Sequence, residues 1–194
     1  VKQAYHHKDL RNALIDEAVV MLSESGVNAL TLREIARRLG VTHTAPYAHF
    51  TDKRALLEGV ANHGFAELAQ ALASARETER TPEGQFRAMA GRYVAFAREQ
   101  PNLYRLMFAD ETLADDPECE MSEEGARAFG VLVETVAAIG VPEDRLEASA
   151  VAAWAFVHGV AMLEIDLRIN GKTMKSADEV AALGVEIFLS GLRA

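Results

Sequence analysis

The stretch from Thr31 to Lys53, TLREIARRLGVTHTAPYAHFTDK, constrains this chain more than any other. Thr31 and Glu34 have the T-x-x-E spacing of a capping box, which satisfies orphan amides at a helix start. Leu32, Ile35, Ala36 and Leu39 then recur at helical spacing, so one face of that helix is apolar. Gly40 follows at once and suits a left-handed, helix-ending conformation. Val41 is placed to pack back into the angle between two helices. Thr42 is placed to cap the second helix, which is short and ends near His49 and Phe50. Two helices joined by a tight turn of about three to four residues with a Gly make a helix-turn-helix.

The side chains fit the use of that motif on DNA. Beyond Thr42, the first turn of the second helix presents His43, Thr44 and Ala45, with Tyr47 one turn on and His49 behind it. These supply polar donors, a hydroxyl acceptor, a methyl and an aromatic ring, all able to meet base edges or phosphates in a major groove. Arg33, on the outer face of the first helix, can reach a phosphate or a guanine. Thr51 or Asp52 can cap a third helix with Lys53 in its first turn. Free amides plus a cation at a helix start form a phosphate clamp.

This stretch resembles the DNA-binding domain of the TetR family of transcriptional regulators. Thr31, Arg33, Ile35, Ala36, Gly40, Val41, Tyr47, His49, Phe50 and Lys53 carry the resemblance, with Leu56 and Leu57 after them. Pro46 departs from it, since the family usually has an aliphatic residue there. The resemblance implies that this position faces the core, and a proline loses one helical hydrogen bond.

Net charge is −9 over 194 residues, which argues against DNA binding if spread evenly. The sign changes along the chain. Residues 1–60 hold 8 Lys+Arg against 7 Asp+Glu and four of the six His, whereas residues 61–194 hold 12 against 22. A local cationic surface, not the total, sets phosphate affinity. A hydrophobic content of 49% with 25% charged residues is ordinary for a globular protein.

The single cysteine, Cys119, excludes an internal disulfide and disfavours a Cys-based zinc site. Its acidic neighbours Asp115, Asp116, Glu118 and Glu120 disfavour a thiolate, so a passive surface thiol is expected. The first residues, VKQAYHHKDLRN, show no apolar signal core. The longest uncharged run, Ala148 to Leu163, is too short to span a bilayer. The cytoplasm is the expected compartment, with no membrane partner.

The rest of the chain reads as helix after helix. Leu10, Leu14, Ala18 and Met21 or Leu22 line a first helix ending near Ser25-Gly26. A long helix from about Asp52 runs through Leu57, Val60, Gly64, Leu68 and Leu72. Thr81-Pro82 opens a helix lined by Phe86, Met89, Tyr93 and Phe96. Pro101 starts a short one with Leu103, Leu106 and Met107. Asp116-Pro117 opens another, lined by Phe129, Val133 and Val136 and stopped by Gly140. Pro142 or Asp144 opens the next, reaching about Asn170-Gly171. Ser176 and Glu179 form a second capping box, and the last helix ends near Leu192. The acidic segment Asp110 to Glu124 is expected to be mobile. No segment alternates as a strand does. The expected fold is all-α: an N-terminal three-helix helix-turn-helix domain over residues 1–52, then a helical-bundle effector-binding and dimerisation domain over 53–194.

In the helix from Glu143 to Asn170, the small residues Ala148, Ala152, Ala155 and Gly159 form a stripe that admits another helix closely. Gly184 and Gly191 are spaced to do the same on the last helix. Packing of these last two helices against a second copy gives an isologous homodimer; packing within one chain is the alternative. Trp154 and His158 share a face with Met162 one turn on. The WAFVHG stretch (Trp154 to Gly159) resembles the WHG-type C-terminal domain of one TetR branch, which implies an effector pocket inside the C-terminal helices. Phe86, Met89, Tyr93, Met107, Phe129, Trp154 and Met162 offer large, adaptable apolar walls for a largely apolar small molecule, or simply fill a core. His158 is either a ligand contact or a core histidine bonded to a carbonyl or carboxyl group.

No catalytic, phosphate-loop or metal-ligand motif appears, so neither an enzyme nor a cofactor or metal is expected. His6-His7 reads as a solvated tail. Arg37 and Arg38 are expected to help hold the phosphate backbone. The reading is a ligand-responsive transcriptional repressor that binds a palindromic operator in double-stranded DNA as a dimer and is released by its effector. Two alternatives are a small-molecule binding protein with a weak or vestigial head, and an enzyme using His158 with Tyr93.

Overall fold

The computed structural model describes residues 7–109, 122–169 and 176–192, with side chains from Leu10 onward. Within these residues all regular structure is helical. The α-helices are α1 (His7–Ser25), α2 (Leu32–Arg38), α3 (Lys53–Glu77), α4 (Pro82–Glu99), α5 (Pro101–Met107), α6 (Glu123–Ala138), α7 (Glu143–Ile165) and α8 (Ala177–Leu192), with short 3-10 helices at Val27–Ala29 and Ala45–Ala48. Cys119, the acidic neighbours around it, Asp116-Pro117, Asn170-Gly171 and His6 lie outside the described residues.

The helices group into two compact units. Among the described residues, one holds those up to Gly64 together with 102–109; the other holds Phe65–Pro101 and those from Ser122 onward. In the first, Leu14, Ala18, Met21 and Leu22 of α1 are buried, as are Leu32, Ile35 and Ala36 of α2 and Leu56, Leu57 and Val60 of α3. The α5 helix joins this unit through Asn102, whose side-chain amide donates to the Leu22 carbonyl at 3.0 Å. That bond occupies an end-of-helix acceptor of α1. The α5 residue Met107 also packs against Gly64 of α3, where a Cβ would stand only 2.7 Å from its Sδ.

In the second unit α4 packs on α6, α7 and α8, and α7 packs on α6 and α8. Its core is built from Phe86, Ala90, Val136, Val141, Ala150, Ala153, Val185 and Leu189. The Arg98 guanidinium bridges Glu164 of α7 (3.0 Å) and Asp178 of α8 (3.1 Å), so one side chain ties three helices together. By length and composition alone α7 passes as long and apolar enough to cross a bilayer, but its buried residues Ala150, Ala153, Val157, Val160 and Ala161 pack inside this bundle.

Helix boundaries follow local chemistry. Thr81 and Ser122 cap α4 and α6 through their hydroxyls. Ser176 and Glu179 make a complete reciprocal box at α8. At α2 only half of the expected box forms: Thr31 Oγ1 accepts from the Glu34 amide at 3.1 Å, while the Glu34 carboxylate pairs with Arg37. Gly40 ends α2 at φ 67°, with Val41 N donating to Ala36 O and Gly40 N to Arg37 O, the two bonds of a Schellman turn.

Three expectations need correction. The second helix of the motif is a four-residue 3-10 turn preceded by Thr44, and no side chain caps it, Thr42 included. Pro46 is the cause. An α-helix capped by Thr42 would send the residue-46 amide to the Thr42 carbonyl, and proline has no such proton. Ala45 N takes that carbonyl instead, at 3.0 Å, which tightens the turn. The α7 helix stops at Ile165, short of residue 170, because Leu167 turns to φ 57° and Arg168 N closes back on Leu163 O at 2.8 Å. Gly184 does not belong to an open stripe: the Phe156 ring of α7 lies against it, so close that a Cβ there would overlap the ring.

Candidate functional site

The first candidate site is a shallow groove on the N-terminal unit, lined by Thr31, Leu32, Arg33, Tyr47, Thr51, Asp52 and Lys53. Three local structures converge on it: the capped start of α2, the 3-10 turn and the start of α3. Because Thr31 is the cap, Arg33 emerges in the first turn of α2, exposed to solvent beside the hydroxyl. Tyr47 is half exposed (50%) although Pro46 before it and Phe50 after it are buried. Pro46 O accepts from both His49 N (2.9 Å) and Phe50 N (3.0 Å), which closes the backbone around Tyr47.

The start of α3 is more occupied than the sequence implies. Asp52 caps it, its carboxylate accepting from Ala55 N at 2.9 Å. The half-buried Lys53 donates from Nζ to the Val27 carbonyl at 2.9 Å. One of the three ammonium protons is therefore committed to the fold, and the cation is held at the groove wall.

Thr42, His43 and Thr44 are exposed on the turn before the 3-10 helix, with the two threonine hydroxyls 3.3 Å apart. Ala45 and His49 are partly buried. None of these five residues lines the groove itself. Arg37 and Arg38 also turn elsewhere: Arg37 pairs with Glu34, while Arg38 bonds Glu24 at 2.8 Å and Glu17 at 3.2 Å and so braces α2 on α1. By sequence Leu32 belongs to the apolar face of α2, and Thr51 and Asp52 are candidate caps. Cap residues at two adjacent helix starts were the signal that these positions converge.

The second candidate site lies in the C-terminal unit. Trp154 Nε1 donates to the Tyr93 hydroxyl at 3.0 Å, and that hydroxyl lies 3.1 Å from His158 Nδ1. The Phe129 and Trp154 rings are 6.0 Å apart, as are those of Trp154 and His158. Tyr93 is buried; Phe129, Trp154, His158 and Met162 are partly so. Burial holds the imidazole of His158 below its ordinary pKa, because removing the ring from water penalises its charged form.

The remaining candidates separate from this cluster. Phe86 stacks on Phe188 at 5.5 Å inside the core. Met89 is buried with Thr135, whose hydroxyl lies 3.3 Å from its sulfur while donating to Val131 O at 2.9 Å. Met107 belongs to the N-terminal unit, against Gly64. Helical spacing does not sort core from lining, since both use large apolar residues.

Comparison with known proteins finds matches to both the N-terminal and the C-terminal part of the chain. The family profile described as "Bacterial regulatory proteins, tetR family" matches residues 14–60, and the one described as "Tetracyclin repressor-like, C-terminal domain" matches residues 86–188. The class A tetracycline repressor from transposon 1721 of Escherichia coli is 48% identical over 56 residues, which are 29% of this chain and 26% of that protein. The chain thus spans about a quarter of that curated relative's length. A solved protein of unknown function from Rhodococcus sp. RHA1 superposes with a TM-score of 0.83 at 34% identity, covering 100% of both chains. A TetR variant from Acinetobacter baumannii AYE in complex with minocycline superposes with a TM-score of 0.68 at 21% identity over 94% of this chain and 95% of that one, a likeness of fold. With a helix-turn-helix head, an all-helical body and a family profile that alone spans more than half of its length, the chain belongs to the TetR family of transcriptional regulators.

Proposed function

We propose that this regulator is a repressor. It binds a palindromic operator as a homodimer in the cytoplasm and leaves the operator when a largely apolar small molecule binds the body. The functional division falls at residue 52/53, with α3 shared: its first turn carries Lys53, and the helix continues without a break to Glu77. At 1.5 Å per residue that is about 37 Å of continuous helix. The convergence of Arg33, Tyr47 and Lys53 on one groove of the helix-turn-helix supports the DNA reading best. Thr31 and Thr51 add hydroxyls at its walls, while Thr42, His43, Thr44, Ala45 and His49 flank it. Arg33 and Tyr47 are assigned to base edges and Lys53 to phosphate.

The aromatic cluster of Phe129, Trp154, Tyr93 and His158, with Met162 one turn beyond, is assigned to the effector. It combines apolar rings with convergent polar groups, the composition of a small-molecule site. Dimerisation is assigned to α7 and α8. The exposed Leu183 (64%) and Ile187 (66%) of α8, with Val151, Ala148, Ala152 and Ala155 of α7, leave apolar surface on one protomer.

The test is a mobility-shift assay on DNA upstream of the protein's own gene, followed by a thermal-shift ligand screen and release from that DNA. Linkage requires operator to weaken effector binding by the factor with which effector weakens operator binding. A protein that binds ligands but no DNA would be a binding protein with a vestigial head.

A further inference from the structure

The groove of the N-terminal unit holds a charge that works against phosphate. Arg33 and Lys53 line it with positive charge, and Asp52 lines it with a carboxylate. Asp52 is exposed, and its Oδ1 accepts from the Ala55 amide at 2.9 Å. A cap needs that one oxygen and no charge, since Asn and Ser cap a helix about as well as Asp. The second oxygen is therefore not required by the fold. Nor is the charge cancelled nearby. Lys53, next in sequence, directs its ammonium to the Val27 carbonyl, and Asp52 forms no ion pair among the described residues. Other carboxylates of the head behave differently. Glu34 is held by Arg37, Glu17 and Glu24 by Arg38, and Glu58 by Arg54. The Asp52 carboxylate is left to act on whatever enters the groove.

On the DNA reading, what enters is a phosphate backbone. A like charge beside the cations that attract phosphate lowers their combined pull. The loss is felt in full on DNA of arbitrary sequence, where phosphate attraction is essentially all of the binding. On an operator, Arg33 and Tyr47 also meet base edges. Those contacts fix the register of the head, so it cannot settle wherever phosphate attraction is greatest. We infer that Asp52 is a specificity-determining residue that acts by repulsion: its carboxylate, held in the groove by the Ala55 amide, weakens binding to non-operator DNA more than binding to operator. This rests on the DNA reading above and goes beyond it, since a groove shaped for affinity alone would carry an uncharged cap here. Penalising the wrong partner widens the affinity difference as surely as rewarding the right one.

Asp52→Asn and Asp52→Ser each keep a capping oxygen and remove the charge. Thermal unfolding of the full-length proteins is expected to place both close to the wild type. Fluorescence anisotropy then measures affinity for two duplexes. One is selected by the wild type from a random pool; the other is its scrambled counterpart, equal in length and composition. The scrambled duplex is expected to bind both variants at least about threefold tighter, the effect of one unit charge roughly 6 Å away in a water-like medium. Its slope of log K against log salt should steepen by roughly one, the charge unmasked. The selected duplex gains less, so the ratio of the two affinities falls. Scrambled-duplex affinity that is unchanged or weaker in both variants overturns the inference, as does an equal gain on both duplexes. A marked loss of stability in both variants would assign the charge to the cap and overturns it too. A wild type that selects no duplex and binds none defeats the DNA reading itself and the inference with it, a result distinct from the others.

Discussion

The ammonium of Lys53 donates to the carbonyl oxygen of Val27 across 2.9 Å, linking the start of α3 to the 3-10 turn between α1 and α2. The residue assigned to phosphate is thus also a brace of the head. Lys53→Ala is expected to cost about 1.5–3 kcal/mol of stability, the range for a hydrogen bond to a charged group, in addition to weakening operator binding. Urea unfolding reads the first and a salt titration of DNA affinity the second, with the slope of log K against log salt reduced by about one. A variant of unchanged stability would show that the Val27 contact contributes nothing in solution.

Pro46 sets the pitch of the segment that presents Tyr47. A 3-10 helix turns by about 120° per residue and an α-helix by about 100°, so restoring the missing amide should rotate the tyrosine relative to Arg33. In Pro46→Ala, backbone carbon shifts over residues 43–48 are expected to move toward α-helical values, with a several-fold loss of operator affinity. Unchanged shifts would assign the tight turn to the Schellman closure at Gly40 and Val41 and not to the proline.

Much of this fold was readable because helix ends are written locally. Thr31, Gly40, Thr81-Pro82, Ser176 and Glu179 act over a few residues each, and the structure uses all of them. The departures arose where a local signal met a competing one. Thr42 has a capping side chain, but Pro46 removes the bond that would make a cap useful. Gly184 has the small size of an interface residue, but Phe156 fills the space it leaves. In the site, the i, i+4 spacing put Trp154 and His158 on one face, yet nothing in the spacing of Tyr93, more than sixty positions away, revealed that its hydroxyl stands between them. Contacts of that separation depend on how α4 lies on α7, which periodicity does not encode.

The Phe156–Gly184 contact predicts opposite outcomes for two similar substitutions. Gly184→Ala places a methyl inside the ring's volume, and overpacking of this kind costs about 1–3 kcal/mol. Gly91→Ala, at an exposed position of α4 with no atom within 4 Å of the new Cβ, removes only the flexibility of a helical glycine and is expected to stabilise by roughly 0.5–1 kcal/mol. Thermal unfolding of the pair decides. A neutral Gly184→Ala would mean that Phe156 swings away freely, and that α7 and α8 are not locked at this point.

Leu183 and Ile187 are one helical turn apart on α8 and largely exposed. Arginine at either position would place an unpaired charge in the interface assigned to this face, a change that costs several kcal/mol when the partner surface is apolar. Sedimentation equilibrium of Leu183→Arg and Ile187→Arg is expected to show monomer at concentrations where the wild type is dimeric, with operator binding lost in parallel. Intact dimers in both variants would move the interface off α8.

Stability should fall in mild acid because of His158. Burial lowers its pKa in the folded state below the ordinary value of 6.5. Above that value both states hold a neutral ring, so the residue contributes no pH dependence. Below it the unfolded chain takes up a proton that the folded protein resists, and unfolding becomes more favourable until the folded pKa is passed. The expected result is a wild-type denaturation midpoint that declines as the pH drops below 6.5, and a His158→Gln protein whose decline over the same window is shallower. The other five imidazoles are common to both proteins and cancel in the difference. Identical slopes would mean that His158 becomes protonated in the folded protein as easily as in the unfolded chain, which is incompatible with an imidazole held neutral by burial beside Tyr93.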